Sequence, residues 1–146
     1  MKTFIASFVI SLFLASGIYA GERLSLLITN IDPAKGELYV AVYNSAGKYM
    51  DPDSAIAREI IPVTADTAFV VFENLPAGEY AIAVFLDLNG NGMLDTRKNG
   101  IPEEPFGFSN DARSKLGPAK FRDACFPFHE SRQMTIKLVS NVKKKK

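Results

Sequence analysis

The densest run of oxygen-bearing side chains is Asp87-Leu88-Asn89-Gly90-Asn91-Gly92-Met93-Leu94-Asp95. Its spacing is that of a calcium loop: side-chain oxygens at positions one, three and five, glycine at six, and an acidic residue at nine. A hard cation takes about six to eight oxygens from a tightly curved chain. Alternate Asp and Asn residues can point inward, Gly92 permits the bend, and the carbonyl of Met93 supplies position seven. Asp87, Asn89, Asn91, Met93 and Asp95 are therefore the candidate ligands of one Ca²⁺. Position twelve is Lys98, so the bidentate Glu of a helix-loop-helix site is missing. The missing oxygen must come from elsewhere, and Glu103, Glu104 and Asp111 are the nearest acidic residues. Mg²⁺ fits less well, because it demands a tighter octahedral shell and keeps its water. Read without a metal, Asn89-Gly90 and Asn91-Gly92 are a pair of turns that favour positive φ. That accounts for the Gly and Asn residues but not for an Asp at each flank.

Other arrangements carry less chemistry. Ser109 sits in Phe-Ser-Asn rather than in a Gly-x-Ser-x-Gly elbow, and the single histidine, His129, has no local partners that would make it the base of a triad. Cys125 and His129 are four apart; on a strand they share a face at a separation of about 13 Å, too far for a thiol-base pair. Cys125 is better read as a buried, inert thiol. Glu103 and Glu104 are adjacent and face opposite ways on an extended chain, so they are no carboxylate pair. Phe106 and Phe108 could form a ligand patch, but covering one end of a core is the commoner use of such residues. The expectation is a non-enzymatic protein without catalytic residues. The competing reading is a small metal-dependent hydrolase that uses the region from Asp87 to Asn110 and a metal-activated water.

The chain that must position these residues has 146 amino acids, 47% hydrophobic and 23% charged, which suits one globular domain. Met1 to Ala20 reads as a secretory signal, with Lys2 ahead of the apolar run Phe4 to Leu14 and a small-residue cleavage zone ending at Ala20. The expected organisation is a signal over 1–20, a β-sandwich over 21–142 and a basic tail over 143–146. A periplasmic or secreted location follows, with no stable transmembrane span after cleavage. One cysteine excludes an intramolecular disulfide, and one histidine excludes a multi-histidine zinc site. The formal charge is +1, and without Lys2 and the four terminal lysines the body has twelve basic residues against sixteen acidic ones. Such a body is no electrostatic match for nucleic acid.

Short stretches alternate between apolar and polar residues and are separated by turn residues, the pattern of strands rather than helices. Leu24, Leu26 and Ile28 share a face. Leu38, Val40 and Val42 oppose Tyr39, Ala41 and Tyr43, giving a strand that is apolar on both sides. Tyr80, Ile82, Val84 and Leu86 line another strand, with Ala81 and Ala83 behind them. It follows the turn Asn74 to Tyr80, where Gly78 is expected to supply a positive φ. Met134, Ile136 and Leu138 mark a last strand. The segment from Ser45 to Arg58 is expected to connect strands, and Phe121 to Phe128 to lie in the core. From Asp87 to Pro118 the alternation disappears, a length at which loops are usually functional. The expected fold is all-β: a single two-sheet antiparallel sandwich of about seven strands, prealbumin- or immunoglobulin-like, with a long loop region after the strand ending at Leu86.

Four stretches resemble one family: Val40-Ala41-Val42-Tyr43-Asn44, Leu75 through Phe85, Asp87 through Asp95, and Gly100 through Asn110. On these the chain resembles the bacterial exported family DUF2141, across nearly all of the mature sequence. The turn Leu-Pro-Ala-Gly-Glu-Tyr is also similar to turns of transthyretin-like and Cna-B-type sandwiches. The resemblance implies an envelope or secreted β-sandwich and supplies no activity. The functional expectation is a module that binds an envelope protein or glycan and is stabilised by one calcium ion.

Overall fold

The computed structural model describes residues 21–115 and 117–141. The expected signal over 1–20 and the basic tail over 143–146 lie outside the described residues. Eight strands form two sheets: β1 (Glu22–Thr29), β2 (Glu37–Tyr43), β3 (Ala57–Pro62), β4 (Ala68–Leu75), β5 (Gly78–Asp87), β6 (Phe106–Phe108), β7 (Phe126–Phe128) and β8 (Arg132–Lys137). The smaller sheet runs β4-β1-β8; the larger runs β3-β2-β5-β6, with β7 on the same edge of β5 as β6. The strands form because alternate residues can be buried between two sheets. Leu24, Leu26 and Ile28 of β1, Leu38, Val40 and Val42 of β2, and Tyr80, Ile82, Val84 and Leu86 of β5 are all buried in one core. At about 25 cal/mol per Å² of apolar surface, that common interior is what holds the sheets together.

The expected sandwich is therefore present, with three differences. First, β1 and β8 pair in parallel, Leu24 opposite Arg132 and Thr29 opposite Lys137. A parallel neighbour requires a long crossover, here everything from β2 to β7, which includes all of the larger sheet and β4. Second, the stretch after β5 is not all loop. Phe106–Phe108 returns as β6 against Ala83 to Phe85 of β5, too short to register as alternation. Third, the turn into β5 places its positive φ at Asn74 (59°) rather than at Gly78, and the hydroxyl of Tyr80 donates to the Pro76 carbonyl at 2.6 Å to close it.

The linker from Ser45 to Arg58 holds two 3-10 turns, Ala46–Lys48 and Pro52–Ser54, ahead of β3. The segment expected to be core divides into a single helical turn, α1 (Phe121–Ala124), and β7. Ala124, Phe126 and Phe128 are buried, whereas Cys125 is only half-buried. The expectation of a buried thiol is corrected accordingly: Cys125 ends the helical turn, and its side chain is left between cap and strand.

Candidate metal centre

β5 delivers Asp87 to the mouth of the sandwich with its side chain almost wholly enclosed, at 1% exposure. A carboxylate so placed needs partners, and the glycine-rich chain supplies them. One oxygen, Oδ1, accepts the backbone N–H groups of Asn89 (3.2 Å) and Gly90 (2.7 Å), and Oδ2 accepts that of Gly92 (2.7 Å). Burial pushes the Asp87 pKa up, but the backbone N–H groups of Gly92, Gly90, Asn89 and Asn91 outweigh it and hold the carboxyl below the usual aspartate range. Positive φ at Gly90 (77°) and Gly92 (74°) lets two successive turns wrap the chain about this anion.

The remaining side chains continue the same curl. Oδ1 of Asn89 accepts from the N–H of Asn91 at 3.1 Å, and Oδ1 of Asn91 accepts from that of Met93 at 2.9 Å. These bonds fix which end of each amide is oxygen. The amide nitrogens of Asn89 and Asn91 donate to the Asp95 carboxylate and close the loop. The structure thus brings Asp87, Asn89, Asn91 and Asp95 together through direct or shared hydrogen bonds. Met93 follows through its backbone, while its side chain stands in solvent at 64% exposure.

Of the three acidic residues considered for a further oxygen, only Glu104 reaches the loop. It is buried (4% exposed), and its carboxylate bridges the two ends, Oε1 accepting from Leu88 N–H at 2.7 Å and Oε2 from Asp95 N–H at 3.1 Å. Glu103 is turned outward to Arg97 at 3.4 Å. Asp111 accepts the N–H of Lys137 at the far side of the smaller sheet. The two glutamates do face apart, as their adjacency requires. The bracing role of Glu104 was not readable in advance, since the only sequence signal was its acidity near the loop.

The donor set fits a hard cation in chemistry: carboxylate, amide and carbonyl oxygens on a tightly curved chain, with no soft ligand among them. Among the described residues no group of three or more His, Cys, Asp or Glu side chains is close enough to hold a metal. A cation here would consequently depend on the amide oxygens of Asn89 and Asn91 and on the backbone. Each of these oxygens takes one N–H in the loop, which leaves a second lone pair.

The other candidate residues are structural. Ser109 is fully buried; its Oγ accepts the N–H of Ile82 at 2.9 Å and donates to the carbonyl of Ala124, tying β5 to the turn before β7. Burial and then the charge of Glu79 push the Cys125 thiol pKa up, which disfavours the thiolate. His129 is exposed. Phe108 packs with Ala81, Ala119 and Ala124 in a second apolar cluster on the outer face of the larger sheet, and Phe106 lies beside it.

Fold and loop together define a two-sheet β-sandwich that carries an acidic, Asn/Gly-rich loop at the end of a central strand. The chain belongs to the family DUF2141, described as an uncharacterized protein conserved in bacteria, whose family model matches residues 26–137. None of the curated proteins and none of the solved structures compared with it matches. Among the described residues, no helix is long and apolar enough to cross a membrane.

Proposed function

We propose that this chain is an exported, non-enzymatic module of the bacterial cell envelope, stabilised by one calcium ion in the loop from Asp87 to Asp95 and binding a protein or glycan partner. The observation that carries the binding reading is the outer face of the smaller sheet. There Phe69 is 64% and Val71 is 43% exposed on the edge strand β4, beside Leu27 and Ser25 of β1. An exposed apolar edge strand is costly to keep unless a partner uses it. The apolar character of the patch favours a protein over a glycan. The signal-like composition of residues 1–20, a lysine ahead of an apolar run and a small-residue zone, supports export, and the oxygen-lined curl supports calcium.

The hydrolase alternative needs a carboxylate free to orient a water. Asp87, its strongest candidate, is enclosed and already committed to three backbone N–H groups, which favours a structural role. A broad hydrolase screen on the purified chain, run beside capture from envelope extract, separates the two. The module reading expects one envelope component to be retained by wild type and lost in Phe69→Ser, without turnover. Turnover that disappears in Asp87→Ala would contradict it.

A further inference from the structure

The outer face of the larger sheet is covered only in part. At one end Tyr49, Met50, Phe121 and Ala124 close over Ala81 and Phe108. Beyond that cap the strand register lays down two rows. Ile60, Tyr39, Phe85 and Phe106 lie side by side across β3, β2, β5 and β6, and Arg58, Ala41, Ala83 and Phe108 form the next row. Two alanines set among large neighbours leave a trough of about 300 Å³, at the lower end of the roughly 300–1,000 Å³ typical of small-molecule sites. Tyr39 and Phe85 make one rigid wall, their rings stacked at 4.8 Å and 13°. Tyr43 and Met50 stand on the other side, and Met93 from the acidic loop overhangs the lip.

The trough is apolar along its length and charged at one end. Arg58 donates to the Pro52 carbonyl at 2.7 Å and makes no ion pair among the described residues, where the three bridges are Arg23–Glu73, Arg97–Glu103 and Arg122–Asp123. The neighbouring Glu59 borders the groove, but it is opposite Val40 in the register and so alternates to the other face of β3. A guanidinium without a carboxylate, at the end of a mostly apolar trough, is complementary to a single anionic head with an apolar tail.

We propose that this groove binds an acyl monocarboxylate, its chain lying across Ala41 and Ala83 toward Phe106 and its carboxylate on Arg58. Four neighbouring strands about 4.8 Å apart span about 14 Å, so a chain of medium length fits. The site lies on the opposite sheet from the Phe69 patch and requires neither export nor a partner protein, so its failure would leave the module reading standing.

The test is titration of the purified chain with decanoate below its micellar concentration, followed by calorimetry and by the NMR shifts of the Ala41 and Ala83 methyl groups. The expected result is saturable one-site binding that moves both methyls. Decanol and decyltrimethylammonium should bind at least about tenfold more weakly, as loss of a charge-assisted bond implies. Arg58→Gln, an exposed edge substitution that keeps the fold, should weaken decanoate by about tenfold and leave decanol unchanged. Ala83→Leu, checked for an intact melting transition, should abolish binding of decanoate. Absence of saturable methyl shifts with decanoate, equal binding of the three amphiphiles, or an unchanged decanoate affinity in Arg58→Gln would each overturn the proposal.

Discussion

Asp87 is the residue on which the loop turns. Its position was legible, because oxygen side chains at alternate places around Gly92 can be read directly. Its near-complete burial was not, since the enclosure comes from pairing with β2 and from the loop's own backbone. Replacing it by Ala strands three N–H groups, and each unsatisfied buried donor costs about 1–3 kcal/mol. Because solvent can reach part of the opened loop, the expected net loss is about 2–4 kcal/mol in a denaturant titration. Protonation does the same work reversibly. The folded-state pKa is depressed, so the stability that Asp87 contributes is full above the unfolded aspartate value of about 3.9 and is lost as pH falls through the lower folded value. Acid titration of the wild type should therefore show a loss of stability confined to the region below about pH 4, and Asp87→Asn should flatten it. Cys125 gives a second check at this scale. Half-buried, with its thiol pKa raised, it should label markedly more slowly in native buffer near neutral pH than in denaturant; equal rates would contradict that environment.

At the scale of elements, strand faces were the easiest feature to read. A period of two with one side enclosed leaves no freedom of register: the apolar rows read on β1 and β5 are buried, as is the row Leu38, Val40 and Val42 of β2, while Tyr43 and Ala81 are buried on the opposite face. The parallel pairing of β8 was illegible because alternation reports which side a residue faces, not which neighbour a strand chooses. For the same reason β6 was lost in the stretch after Asp87, its three residues having no run in which to alternate. The double apolar face of β2 has a structural counterpart: Tyr39 and Ala41 face a second surface needing a cover, which the caps from Ser45 to Arg58 and from Phe121 to Ala124 provide only in part. Contact between elements also makes Gly36 a sensitive position. It has a φ of 88°, and a Cβ added there would lie 2.2 Å from the Asp87 carbonyl oxygen. Gly36→Ala should consequently destabilise the fold by about 1–3 kcal/mol and displace the start of the loop. Its signature is a lowered melting midpoint together with changed amide shifts at Leu88 to Gly92; a silent substitution would show that this close approach is not maintained in solution.

The whole molecule joins a sandwich core to a loop curled about one buried anion, and the proposed role of that curl is to receive calcium. Without a twelfth-position Glu the affinity should be weak, with a Kd on the order of 10⁻⁴ M. At about 1 mM free Ca²⁺ such a site adds roughly 1.4 kcal/mol to the folded state, equivalent to a rise of about 3–6 °C in Tm for a domain of this size. The most direct measurement is a pair of thermal melts, one in calcium and one in chelator, on wild type and on Asp95→Asn, with calorimetric titration of the same samples. Asp95→Asn is the informative variant, because it removes one of the two loop carboxylate charges while leaving the Asp87 carboxylate and its N–H partners in place. Calcium should raise the wild-type midpoint by those few degrees, and the rise should be largely lost in Asp95→Asn. Identical wild-type melts in the two buffers, with no heat of binding up to millimolar Ca²⁺, would contradict it and leave the loop as two Asn-Gly turns folded about Asp87.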